Sequence, residues 1–512
     1  MIDTNFKNKI KTVEELREII GPPPREKKVI MCHGTFDIVH PGHIRHLVYA
    51  KGMADILVAS LTSDRHIAKA NFRPYVPEQL RAMNLAVLEM VDYVIIDDEA
   101  KPLRNLTRIQ PDYFAKGYEY VKGGIDPRTR EELAVLETYG GEFIYTPGDI
   151  VYSSSAIIDS EPPDLSTEKL MLLLHGEGVG FDDLRNAISR LNGIKAHVVG
   201  DTIVDSYTYT TLIGGNTKTP TFSVRHDRQL DYVGGAGIVA KHLRAAGAEV
   251  VFTTVLGNDS LKDFVLDDLS AAGITVNAVI DPMRPTTQKN AFIADGYRLL
   301  KVDKVDNRAI SEKILHQFID HVAGTPAQTV VFSDFRHGIF NRHTALPLAA
   351  AVPSGSYRVA DSQVASRWGN ILDFPDFDLI TPNEREARFA LGDQDTTVRP
   401  LATQLYQQAR CKTLILKMGD RGIITQRADM SESRAFFTVD SFVRRVVDAV
   451  GAGDALLAYA ALAMVATRDT VIASVLGSMA AAIECEHEGN VPVEPQQVLD
   501  KIDAVARQAR LD

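Results

Sequence analysis

Two doubly wound α/β domains, the second carrying a small β-lid, are the fold this sequence predicts, and three observations predict it. Short apolar runs alternate with helical patterns from Lys28 to about Ser160, and again from His197 onward. That rhythm belongs to parallel sheets covered by helices. The 512 residues are too many for a single core, so two or three domains are expected. Each half also holds a glycine-bearing helix start, where backbone N–H groups gather anions.

Residues 1–27 read as an N-terminal extension, an amphipathic helix closed by the stiff Gly21-Pro22-Pro23-Pro24. The first domain, 28–160, has predicted strands at 29–32, 56–61, 93–96, 113–115 and 143–145. Ser160-Glu161-Pro162-Pro163-Asp164 then punctuates the chain. Residues 161–185 read as a linker, with 169–174 open to a helical reading. The second domain, 186–512, has predicted strands at 197–201, 250–255, 330–333, 358–361, 379–381 and 413–417. Between Asp205 and Val233 the chain is rich in Thr, Tyr, Val and Gly with strand-like alternation, which reads as an inserted sheet, a lid.

Hydrophobic content of 45% and charged content of 24% are those of an ordinary globular chain. A net charge of -11 argues against a nucleic-acid binder. Cys32, Cys411 and Cys485 have neither metal-ligand spacing nor a disulfide framework, so a reducing cytoplasm is expected. The N-terminal stretch lacks the apolar core of a signal peptide, and no run is long enough to span a bilayer, so no membrane partner is expected.

His33-Gly34-Thr35-Phe36-Asp37-Ile38-Val39-His40-Pro41-Gly42-His43 follows the first strand and opens a helix. Imidazoles beside helix-start amides donate to charge growing on a reacting phosphate. The stretch resembles the GxFDxxHxGH form of the HxGH nucleotidyltransferases, in the cytidylyltransferase-like family. The resemblance implies a Rossmann-like fold, catalytic His40 and His43, and nucleotide contacts from Thr35 and Phe36. It also implies a triphosphate-binding Lys51, a phosphate-binding Arg81 after Pro77-Glu78-Gln79, and phosphate-holding hydroxyls on Ser153, Ser154 and Ser155, with Mg2+ assisting. Lys116-Gly117-Tyr118-Glu119 is similar to the family's KGxDY stretch. The choice between CTP and ATP stays open. Cys32, His33 and His46 read as packing residues.

Val447-Asp448-Ala449-Val450-Gly451-Ala452-Gly453-Asp454 precedes a strongly apolar helix. Glycines let a phosphate approach the backbone, and a carboxylate inside the turn can take a proton from an attacking hydroxyl. The stretch resembles the DTxGAGD signature of the ribokinase-like, or PfkB, sugar kinases, with Ala449 in place of threonine. The resemblance implies Asp454 as base and Gly451, Ala452 and Gly453 as anion hole. Gly200 to Asp205 is similar to the family's GDxxxD, which makes Asp205 a sugar-binding residue, and Gly234-Gly235 is similar to its GG motif near the sugar. Asn383 and Glu386 match NxxE, which organises Mg2+ indirectly. Lys417, Gly419 and Gly422 match the stretch near ATP. Ile238 stands where the family has asparagine, and an apolar side chain cannot hydrogen-bond a sugar hydroxyl.

The same two domains occur fused, kinase first, in bacterial heptose-phosphate kinase/nucleotidyltransferases. Pro285-Thr286-Thr287-Gln288-Lys289 and Ser333-Asp334-Phe335 are similar to that branch's PTTxK and SDY. The resemblance implies ATP-dependent phosphorylation of a heptose-like sugar phosphate at the anomeric hydroxyl. Coupling of the sugar 1-phosphate to CTP or ATP follows, for surface polysaccharide synthesis. The reversed domain order here points to a related enzyme rather than to that one. Two alternatives stay open: a polyol-phosphate cytidylyltransferase fused to a sugar kinase, and a chain in which one domain is an inactive scaffold or sensor. The inserted sheet implies, by resemblance, a homodimer.

Overall fold

Continuous apolar β-rich runs make strands buried on both faces, as a helix-covered parallel sheet requires. The computed structural model describes residues 4–67, 74–117, 127–146, 166–214, 222–363, 370–428, 435–487 and 489–511. The chain divides into two units, Met1–Leu165 and Ser166–Asp512.

In the first unit, β1 (Val29–Gly34), β2 (Ile56–Thr62), β3 (Tyr93–Asp97), β4 (Tyr113–Gly117) and β5 (Glu142–Thr146) form a five-stranded parallel sheet. Its order is β3-β2-β1-β4-β5. All five predicted strands are present, each one or two residues longer than its apolar run. Val29, Ile30, Met31 and Cys32 of β1 are wholly buried. The winding reverses between β1 and β4, so the crevice forms at their carboxyl ends. The segment read as an extension belongs to this unit. Its helix, Val13–Ile20, starts with a reciprocal Thr12–Glu15 cap and packs Val13 and Leu16 against Val29, Met31 and Ile95.

In the second unit a nine-stranded sheet comprises β6 (Lys195–Gly200), β9 (Glu249–Leu256), β10 (Thr275–Ile280), β13 (Thr329–Asp334), β14 (Tyr357–Ser362), β15 (Leu379–Ile380), β16 (Thr413–Lys417), β17 (Ile423–Arg427) and β18 (Phe436–Val439). The order is β10-β9-β6-β13-β14-β15-β16-β17-β18, parallel until β17 and β18 pair antiparallel. The predicted lid is the hairpin β7 (Thr202–Gly214) and β8 (Ser223–Gly235). It is completed by β11 (Gln288–Ala294) and β12 (Tyr297–Lys304), in the order β12-β11-β7-β8. The strands beyond the prediction are β10, β11, β12, β17 and β18. β12 is exposed along nearly its whole length, so it shows no apolar alternation.

The region read as a linker holds helices Ser166–Glu177 and Phe181–Ser189. Their Leu170, Leu174, Leu184 and Ile188 join the core of the second unit, so they are structural rather than connecting. Helix Ala452–Thr467 runs through that core, buried from Asp454 to Met464. No helix among the described residues is long and apolar enough to cross a membrane.

Candidate active sites

His40 is the N-cap of helix Pro41–Lys51, with extended backbone, and its Nδ1 accepts the Gly42 N–H at 3.2 Å. An accepting Nδ1 places the proton of the neutral ring on Nε2. The His40 and His43 rings stack with centroids 3.8 Å apart, and Phe36 packs on His43 at 5.1 Å. Phe36 is buried at φ 48°, a left-handed turn that ends β1 and brings the ring under the helix start. Burial, helped by His40 and His46, pushes the His43 pKa down to about 4, against a backbone hydrogen bond to Ile38. At neutral pH His43 is therefore an uncharged ring.

The loops around these rings are braced by buried polar groups. Asp37 accepts the N–H groups of Tyr75 and Val76 at 3.0 and 2.8 Å. Arg81 is wholly buried and donates to Val76 O, Thr62 O, Asp64 and the Thr35 carbonyl. Its guanidinium is thus a strut holding three loops. Thr35 contributes its carbonyl to that strut. Lys51 is placed away from these rings. It ends the same 11-residue helix, about 15 Å from His40 by helical rise. There it binds Asp92 at 2.6 Å and the Asp55 carbonyl. Ser153, Ser154, Ser155, Tyr118 and Glu119 lie outside the described residues. His33 and His46 are packing residues as read: His33 bonds Ser60 and Thr62, and His46 bonds Thr146 at 2.7 Å.

In the second unit a cavity of about 790 Å³ gathers eleven of the predicted residues: Asp205, Gly235, Asn383, Glu386, Lys417, Gly419, Gly422, Gly451, Ala452, Gly453 and Asp454. Gly451, at φ 87°, is the N-cap of helix Ala452–Thr467. Its positive φ favours glycine, and a side chain there would press on Glu484 Oε1, 2.8 Å away. Val447 and Asp448 donate their N–H groups to the Cys485 carbonyl, which ties this loop to helix Thr470–Cys485. Gly234 lies behind the cavity wall, where a methyl group would fall 2.1 Å from Asp205 Oδ2.

The electrostatics of the cavity centre on Asp454. Burial raises its pKa well above the carboxylate range, Asp361, Glu484 and Asp205 add to the rise, and Lys417 opposes them. Lys417 Nζ binds both Asp361 oxygens at 3.1 and 3.2 Å. It also lies 3.1 Å from where a methyl on Gly453 would stand. Asn383 and Glu386 cap helix Glu384–Leu391 reciprocally at 2.9 and 2.7 Å while facing the cavity, so one pair of residues serves helix and site together.

Comparison with known proteins places both units in known families. Residues 194–497 match the family model for the pfkB family carbohydrate kinases, and residues 31–160 match the cytidylyltransferase-like model. The chain belongs to the pfkB family. Its relatives include the bifunctional protein HldE of Campylobacter concisus, 42% identical over 118 residues (23% of this chain, 25% of that one). HldE of Rhodopseudomonas palustris is 28% identical over 332 residues, 63% of this chain and 65% of the relative. The pfkB chain thus spans at most about two thirds of the length of these curated relatives. Phosphofructokinase-2 of Escherichia coli, in its tetrameric inhibited form, shares the fold with a TM-score of 0.51. That match is 16% identical and covers 61% of this chain and all of the other.

Four further residues in or beside the pfkB cavity carry chemistry that motif reading did not assign. Asp361 holds Lys417, and Asn490 binds Asp205. Lys289 and Lys301 line the same cavity from β11 and β12. Lys289 pairs in register with Asp205 on one side and Asp303 on the other, and Lys301 lies two residues from Asp303 on the same face. Lys289 had a signal, the motif ending at that residue. Lys301 had none, because its strand carries no apolar pattern.

Proposed function

We propose that the chain carries out two steps of sugar activation. The second unit moves the γ-phosphoryl group of ATP to the anomeric hydroxyl of a heptose-like sugar phosphate. The first unit couples a sugar 1-phosphate to CTP or ATP and releases pyrophosphate. The observation that carries the reading is the composition of one cavity, with a carboxylate base, a helix-start anion hole, a sugar-facing carboxylate and three lysines.

Each part has a task. Asp205 accepts hydrogen bonds from acceptor hydroxyls. Lys289 and Lys301 favour an acceptor that already bears a phosphate, because both cations line the cavity that Asp205 faces. Burial and Lys301 depress the Lys289 pKa, and Asp205 counters them. Asp454 takes the hydroxyl proton as the oxygen forms its bond to the γ-phosphorus and ADP leaves. The amides of Gly451 to Gly453 receive the transferred charge. The exposed Val446 and Val450 give the nucleobase an apolar wall. Glu386, with Asn383, fits Mg2+ held mainly through ATP phosphates, since such a site needs only one or two carboxylates; when bound, the ion neutralises phosphate charge. In the first unit the His40 Nε2–H and the neutral His43 donate to the α-phosphate while the sugar phosphate oxygen displaces pyrophosphate. A separate phosphatase acts between the steps, since the kinase product bears two phosphates and the transferase uses a sugar 1-phosphate.

The test is a panel of sugar and polyol phosphates with each nucleoside triphosphate, following ADP and pyrophosphate separately. Asp454→Asn removes ADP release and spares pyrophosphate release, and His43→Ala does the reverse. Absence of both products with every sugar phosphate refutes the reading. Exposed Leu212, Ile213, Leu300 and Val302 on the lid support a homodimer, which sedimentation tests.

A further inference from the structure

Asn490 sits in the loop after helix Thr470–Cys485, 7% exposed, in the wall of the kinase cavity. Its Nδ2 donates to Asp205 Oδ2 at 3.3 Å, linking this loop to strand β7 of the lid. Its Oδ1 is buried and has no hydrogen-bond partner among the described residues. A methyl built on Gly451 would fall 3.0 Å from that oxygen, and one on Gly234 would fall 3.3 Å from Nδ2. One amide therefore stands between the start of the anion hole and the sugar-facing carboxylate.

A buried acceptor without a donor keeps its desolvation cost until a donor arrives. In this cavity the arriving groups are sugar hydroxyls, each of which can donate one hydrogen bond. Asp205 and Asn490, joined by their own hydrogen bond, each keep an acceptor oxygen for hydroxyls of one sugar. No other amide takes this position from the helix that follows Gly235: Ile238 there is apolar and 1% exposed. Glu484 Oε1 is also unpartnered near Gly451, but Glu484 does not line the cavity.

We propose that Asn490 determines acceptor specificity, its Oδ1 accepting a hydrogen bond from the hydroxyl next to the one Asp205 holds. The proposal rests on the reading of this cavity as a sugar kinase site. The experiment compares wild type, Asn490→Ala and the double variant I238N/N490A on the best sugar phosphate of the panel and its monodeoxy analogues. In Asn490→Ala the acceptor KM rises about 10- to 100-fold while the ATP KM stays within twofold. One deoxy analogue is penalised in wild type and no worse than its parent in Asn490→Ala, an effect that general loosening of the loop would not produce. The double variant keeps the Asn490→Ala behaviour, since residue 238 points into the core. If Asn490→Ala loses its thermal transition, Asn490→Ser carries the same comparison. An acceptor KM within twofold of wild type, or a deoxy penalty that persists in the variant, overturns the proposal and leaves the kinase reading standing. A wild type that phosphorylates no sugar phosphate overturns both.

Discussion

Gly234→Ala acts chiefly on the placement of one carboxylate, with the Asn490 amide a lesser neighbour at 3.3 Å. The added methyl would lie 2.1 Å from Asp205 Oδ2, where ordinary contact begins near 3.4 Å, so the carboxylate must retreat by about 1.3 Å. The obstructing atom is the tip of a side chain, so the fold yields cheaply, with a loss of about 1–2 kcal/mol at the low end of overpacking. Catalysis does not yield cheaply, because a misplacement of about 1 Å costs on the order of 10²-fold. Steady-state ADP release is the assay, with acceptor and ATP varied separately, beside a thermal melt. The acceptor kcat/KM is expected to fall about 100-fold, the ATP KM to stay within twofold, and Tm to drop by a few degrees. Gly200→Ala supplies the contrast, since its methyl would meet the Ser333 carbonyl at 2.2 Å and backbone cannot swing aside. An acceptor kcat/KM within threefold of wild type in Gly234→Ala would refute the assignment of Asp205.

Arg81→Ala leaves four buried or part-buried acceptors without their donor and is expected to destabilise the first unit by about 3–5 kcal/mol in urea denaturation. Lys51→Ala removes a half-exposed ion pair worth about 0–1 kcal/mol and is expected to leave the nucleotide KM of pyrophosphate release within twofold; a tenfold rise would restore the phosphate role. Stability of the first unit is expected to fall as pH drops from 6.5 toward 4. Burial holds the pKa values of His33 at about 3 and of His43 and His46 at about 4, so the unfolded chain binds protons that the folded chain refuses. Asp97, pushed up to about 6 mainly by burial, and Glu78 work the other way over that range. His46→Gln should flatten the profile by about 1.4 kcal/mol per pH unit, and superimposable profiles would refute this.

Most of what the sequence made legible was apolar or glycine-marked. Buried strands such as β1 and β13 advertise themselves by continuous apolar runs, 29–32 and 330–332, and Gly451 by the glycine that a positive φ at a helix start favours. The lid was half legible for the same reason: β7 is largely buried and alternates, whereas β12 is exposed and does not. Side-chain roles were harder, because one residue type serves opposite ends of one element. Lys51 shares a helix with His40 yet ends at the far edge of the sheet. Arg81 has the chemistry of a phosphate ligand, but it is wholly buried and donates to three carbonyls and Asp64. Asn383 was readable both as a cap and as a site residue, and it is placed to be both. Asn490 lay beyond motif reading, since only the fold brings it to Asp205, 285 positions earlier.

The legible motifs leave one chemical difficulty, and Lys417 answers it. Asp454 must be ionised to accept a proton, yet burial, Asp361, Glu484 and Asp205 all favour its protonated form. Lys417 is the cation that opposes them, and burial alone would neutralise it. Asp361, Glu386 and Asp454 outweigh that burial and hold its pKa above the usual lysine value. Asp361 therefore acts on the base through the lysine as well as against it. Replacing the cation with an isosteric apolar chain, Lys417→Met, leaves the acidic neighbours unopposed, so the Asp454 pKa rises. Because the base works only when ionised, the rising limb of ADP release against pH must move to higher pH. An opposite charge in close range is worth on the order of one to three pKa units, and a shift of about one unit is the expected scale. Lys417→Arg keeps the charge and should leave the limb near its wild-type position. A limb that stays in place in Lys417→Met, with only the ATP KM raised, would mean that Lys417 serves the nucleotide alone and that another group ionises the base.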